Sequence, residues 1–137
     1  MTGSFIMNTP HGHFSIQVEG PIVHAYAYTP FNPEGIARFF DELFLQVDGL
    51  ESWILFNHAS EEVGVTPEAI ALYKDSLALL TNKGCLGVVS KLPNRMLSNL
   101  IREIYENTGI AQLTSNDPEE IDAFVKALLA SHSGEGL

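Results

Sequence analysis

Residues 53–89 read WILFNHASEEVGVTPEAIALYKDSLALLTNKGCLGVV, and this stretch decides the fold class. Trp53-Ile54-Leu55-Phe56 is a short apolar run, the pattern of a strand buried on both faces. After a polar loop, Thr66-Pro67-Glu68 opens a helix. The threonine oxygen accepts an orphan backbone N–H, proline needs no donor at the first helical position, and glutamate meets the positive end of the helix dipole. Ile70, Tyr73, Leu77 and Leu80 then recur at helical spacing. Gly84 breaks the pattern, and residues 86–89 are again apolar and short. Strand, helix, strand in this order implies a parallel pair joined by a right-handed crossover.

The same grammar extends in both directions. Toward the C-terminus, Met96, Leu97, Leu100, Ile101, Ile104 and Tyr105 mark a helix starting at Asn94, after Pro93. Residues 110–113 follow as a strand. Ile121, Phe124, Val125, Leu128 and Leu129 then stripe a last helix opened by Asp117-Pro118-Glu119, with Glu120 placed to complete a capping box. Toward the N-terminus, Asn32-Pro33-Glu34 opens a helix whose stripe is Ile36, Phe39, Phe40, Leu43, Phe44 and Val47. That stripe is wide enough for Phe40 and Phe44 to wall a pocket or meet a second subunit. Before it, Phe14, Ile16 and Val18 alternate with Ser15, Gln17 and Glu19, a half-buried strand. Gly20-Pro21 punctuates the chain, and residues 22–28 form an antiparallel neighbour. The expected order is β-β-α-β-α-β-α-β-α over residues 13–130. This is one α/β domain with a mostly parallel sheet and an antiparallel edge strand. Residues 1–12 are expected as a loose arm and 131–137 as a frayed tail.

Composition limits the function. The chain has 137 residues, 45% hydrophobic and 18% charged, a globular balance for a single domain. Seventeen acidic residues against seven basic ones give a net charge of −10. That disfavours the phosphate backbone of a nucleic acid and an anionic membrane surface. One cysteine makes no intramolecular disulfide. The first residues lack the basic region of a secretory signal, and no apolar run approaches the ~18 residues that span a bilayer. A cytoplasmic protein is expected, with no membrane insertion. The charge is uneven: residues 83–102 carry Lys83, Lys91, Arg95 and Arg102 and no acid.

In sheets of this kind, ligands meet the ends of strands where helices begin. That edge holds Asn57, His58, Ser60, Thr66, Lys91 and Arg95, the candidate binding residues. Lys91 and Arg95 flank the start of the third helix and suit a carboxylate, a phosphate or an acidic protein surface. Thr66 reads first as an N-cap. His58 with Ser60 and Glu61 or Glu62 invites a hydrolase reading, but no strained nucleophile turn such as Gly-x-Ser-x-Gly accompanies it. His11 and His13 form a His-x-His pair with His24 on the next strand, too few ligands for a closed zinc site. Cys85 has no Cys-x-x-Cys partner and reads as an inert thiol. Asn57 and Ser90 stand where a receiver-type aspartate would be needed, and no phosphate-cradling glycine spacing occurs. No cofactor or metal is expected.

The element order over residues 13–130 resembles the SpoIIAA-like (STAS-related) fold. The opening strand pair, the unit from Trp53 to Leu80, and the tail Ile110-Ala111-Gln112-Leu113-Thr114-Ser115-Asn116-Asp117-Pro118-Glu119-Glu120-Ile121 carry the likeness. Anti-sigma-factor antagonists of this fold have an Asp-Ser-Ser-Gly-type loop before the second helix, whose serine a partner kinase phosphorylates. Here that place reads Glu62-Val63-Gly64-Val65-Thr66-Pro67-Glu68. The resemblance therefore implies the uncharacterised bacterial branch, with no enzymatic activity and no phospho-switch of that type.

Taken together, these features predict a non-catalytic protein-interaction or regulatory module. Its partner would be another protein or a second copy, with a homodimer as one form. The alternative is a binder or sensor of a small apolar or anionic ligand beside the first helix. A hydrolase using His58 comes third.

Overall fold

A computed structural model describes residues 2–135 of the chain. The elements are β1 (Thr2–Thr9), β2 (Gly12–Glu19), β3 (Ile22–Ala27), α1 (Pro33–Gln46), β4 (Trp53–Ala59), α2 (Pro67–Asn82), β5 (Cys85–Lys91), α3 (Arg95–Tyr105), β6 (Gln112–Thr114) and α4 (Pro118–Glu135). The described strands form one sheet in the order β1-β2-β3-β4-β5-β6. β1, β2 and β3 pair antiparallel; β3 to β6 pair parallel through the helical crossovers.

Two expectations need correction. Residues 2–9 are a strand and not an arm, so the antiparallel edge is β1, one strand further out than the sequence suggests. Phe5 and Met7 pack against the core while Ile6, between them, is 72% exposed, so an apolar outward residue hides the period of two. The expected tail is helical: α4 continues to Glu135, and residues 136–137 lie outside the described residues.

The four helix starts stand where the caps place them. Asn32, Thr66 and Asn94 accept the backbone N–H of Gly35, Ala69 and Leu97 at 2.9, 3.1 and 2.8 Å. Asp117 accepts that of Glu119 at 3.0 Å. The turn between β1 and β2 docks on the start of α1, where the His11 carbonyl accepts Asn32 N–H at 3.2 Å. A Cβ at Gly35 would collide with that carbonyl, so only glycine lets the turn sit so close.

Helices α1, α2 and α3 cover one face of the sheet, over Phe14, Ile16, Val23, Trp53, Leu55 and Val88. Trp53 is fully buried and its indole N–H donates to the Lys83 carbonyl at 2.7 Å. α4 covers the other face over Ile54 and Val89 through Ile121. The outer face of β1 and β2 carries no helix: Ser4, Ile6, Gln17 and Glu19 are exposed. The aromatic stripe of α1 is largely covered within the chain. Phe40 is buried against Phe39 and Tyr73, and half-buried Phe44 lies under the Lys83 ammonium, 5.7 Å from its ring centre.

Candidate functional site

β4 and β5 run further than their apolar runs, to Ala59 and Lys91. The candidate residues at their ends therefore sit on strands and obey strand alternation, which separates neighbours onto opposite faces. Asn57 pairs with Ser90, and His58 with Lys91. The first pair faces the layer of α1, α2 and α3; the second faces the side of α4.

On the inner side lies a cavity of about 100 Å³ between the strand ends and the three helices. Its space comes from the small residues Ala25, Ala27 and Ala59, and apolar side chains such as Phe39, Ile70, Leu100 and Ile101 wall it. Phe31 and Val65 also line it; they form a parallel bridge that ties the entry of α1 to the entry of α2. Its polar groups are few. Tyr26, Asn57, His58 and Ser90 come from the sheet and Tyr73 from α2. The hydroxyls of Tyr73 and buried Tyr105 are 2.7 Å apart, with the Asn57 side chain close by. Burial raises both phenols, Tyr105 well above its ordinary value, so both stay protonated. Ser90 is different: it is fully buried, and its Oγ has no hydrogen-bond partner among the described residues. No Asp, Glu, Lys or Arg is among the described residues that line the cavity.

On the outer side four rings form a block. His24 pairs with Phe56 and Tyr26 with His58 in the β3–β4 register. The His58 ring stacks on Phe56 at 4.2 Å and on Tyr26 at 4.4 Å, within 13° of parallel in both cases. His24 Nδ1 and His58 Nε2 are 3.0 Å apart, so one of them carries the shared proton. Burial, with His24 and Lys91 nearby, lowers His58 to about 4. Burial also lowers His24, partly opposed by Glu19. Both imidazoles are neutral at pH 7. Lys91 rims a groove between this face and α4, lined also by His24, Phe56, Ile121 and Val125.

The sequence candidates thus separate. Asn57 faces the cavity, while Lys91 lies across the sheet from it; His58 reaches the cavity lining, but its ring stacks on Phe56 and Tyr26 and bonds to His24. Ser60 Oγ donates to the Tyr28 carbonyl at 2.8 Å, and Thr66 is the cap of α2. Arg95 is exposed at the start of α3. The Ser60, His58 and Glu61 or Glu62 constellation is not assembled, because His58 bonds to His24 and Ser60 to backbone. His11 joins Asn32 and Glu34 while His13 packs on Tyr28, so the His-x-His pair is divided. No group of three metal-ligating side chains occurs among the described residues. Burial pushes the Cys85 thiol up to about 11, as suits an unreactive group.

Ser90, Tyr73 and Tyr105 are the site residues that sequence reasoning passed over. Both tyrosines lie on apolar helix stripes, where they read as core. The available signal was Ser90 itself, a hydroxyl directly after the apolar run of β5.

No helix among the described residues is long and apolar enough to cross a membrane. No protein-family model matches the chain, and no curated protein does. Among solved structures it is similar to an uncharacterised protein of the DUF3478 family with a SpoIIAA-like fold from Shewanella loihica PV-4. The TM-score is 0.58 at 15% identity, over 90% of this chain and 95% of that one. At that identity the likeness concerns architecture alone: the chain has the SpoIIAA-like fold.

Proposed function

We propose that this chain is a non-catalytic binding module that holds a small, mainly apolar molecule between its sheet and helices. The observation that carries this reading is the 100 Å³ cavity at the C-terminal ends of the parallel strands. Protein interiors are close-packed, and an apolar void of ~150 Å³ takes up benzene. The crevice outside the carboxyl ends of parallel strands is also where ligands of open α/β sheets bind. Catalysis finds no support there. Ser90 has no hydrogen-bonded base at its hydroxyl, the phenols are held protonated, and His58 is engaged with His24. The absence of a lining cation turns the reading away from the anionic ligand that the sequence left open.

Pressurised xenon and dissolved benzene test the cavity. Both are expected to bind the intact chain, with benzene raising the unfolding temperature by a few degrees. Ala25→Leu, which fills the space, is expected to remove that increment. An intact chain that takes up neither probe overturns the reading.

A second reading, an acidic protein partner on the basic turn, is favoured by one observation. Lys91 and Arg95 are exposed without ion pairs among the described residues, beside Met96, which is 81% exposed. Charge reversal at Lys91→Glu and Arg95→Glu is expected to lower recovery of a partner from extract; equal recovery removes the basic turn from consideration.

A further inference from the structure

Resting on the cavity reading above, we infer that the ligand is an uncharged molecule with a hydrocarbon body and a single hydroxyl or carbonyl oxygen, which hydrogen-bonds to Ser90. Three observations select this class. The first is the free hydroxyl. Ser90 is fully buried, it lines the cavity, and its Oγ has no partner among the described residues. A buried, unsatisfied hydroxyl is costly in a native core, and each such group calls for a physical reason.

The second is that the other polar groups are few and partly committed. The Tyr73 and Tyr105 hydroxyls bond to each other, and His58 bonds to His24. An ordered buried water needs about two to four polar partners. A water at Ser90 finds one unpartnered hydroxyl and walls that are mainly apolar. A ligand needs only one polar atom there, with its remainder against Phe39, Ile70, Leu100 and Ile101.

The third is neutrality. Among the described residues the cavity has no lining Asp, Glu, Lys or Arg, and the lining imidazole of His58 is uncharged at neutral pH. A carboxylate or ammonium group would enter without a counter-charge, at a desolvation cost that burial of so small a body does not offset. A serine hydroxyl both donates and accepts, so it serves a hydroxyl or a carbonyl equally.

The test uses probes of matched shape: benzene, phenol and benzoate, titrated into the intact chain by calorimetry and by thermal shift. Phenol is expected to bind more tightly than benzene, and benzoate not at all. In Ser90→Ala, phenol is expected to lose about tenfold in affinity, the size of one hydrogen bond, while benzene binds as before. The same variant without ligand is expected to melt higher than the parent, because an unpartnered hydroxyl has gone. Ser90→Cys keeps nearly the original shape with a weaker donor and is expected to show the same selective loss; it serves if Ser90→Ala folds poorly. If phenol binds both variants as tightly as the parent, the assignment of the ligand class is wrong and the cavity reading survives. Benzoate binding as well as phenol also overturns the class. If none of the probes binds the parent chain, the cavity reading itself fails.

Discussion

His58 is held by rings on both sides and by one nitrogen of His24, so its protonation must disturb a packed block. Its folded value of about 4 lies below the ordinary 6.5. Between those values the unfolded chain binds more protons than the folded one, so stability rises with pH across the window. The contribution is complete above about pH 6.5 and disappears as pH falls toward 4; His24, also lowered, acts with the same sign. Replacing His58 by phenylalanine keeps the stack and deletes the titration. Urea unfolding from pH 4 to 7 is expected to show a shallower pH dependence for His58→Phe than for the parent. Equal slopes would mean that His58 titrates in the folded chain as it does in the unfolded one. The residue scale also shows what the sequence conceals about the site. His58 was visible because imidazole beside carboxylates attracts notice, yet its partner is 34 residues away. Ser90, Tyr73 and Tyr105 converge only through pairing and helix docking, which no local pattern encodes.

At the level of elements, the helix starts were legible because capping is local chemistry: one oxygen reaches an N–H two or three residues ahead. β1 was not legible, because its alternation is interrupted by outward Ile6 and its stability comes from pairing with β2. The docking of the β1–β2 turn on α1 gives a test with an unusual sign. Alanine in a helix interior normally gains about 1 kcal/mol over glycine. At Gly35 the new methyl would meet the His11 carbonyl, and overpacking of this kind costs about 1–3 kcal/mol. Gly35→Ala is therefore expected to destabilise the chain in chemical denaturation. A gain would show that the turn moves aside at little cost.

For the whole molecule, coverage is unequal. The middle of the sheet lies between helices on both sides, while β1 pairs along one edge only and the outer face of β1 and β2 carries no helix. Local opening follows coverage. Native-state hydrogen exchange is expected to be slowest in β3, β4 and β5 and fastest in β1. Equal protection of β1 and β4 would require that a partner or another segment covers that edge in solution.

Trp53 has an optical consequence. It is the single tryptophan of the chain, it is fully buried at the start of β4, and its N–H is bound to a carbonyl. It is not among the residues lining the cavity at the opposite end of that strand. Its fluorescence therefore starts blue-shifted and moves to the red only when the domain comes apart. Occupation of the cavity is expected to leave the emission maximum in place, so one indole separates ligand uptake from loss of the fold in a single cuvette.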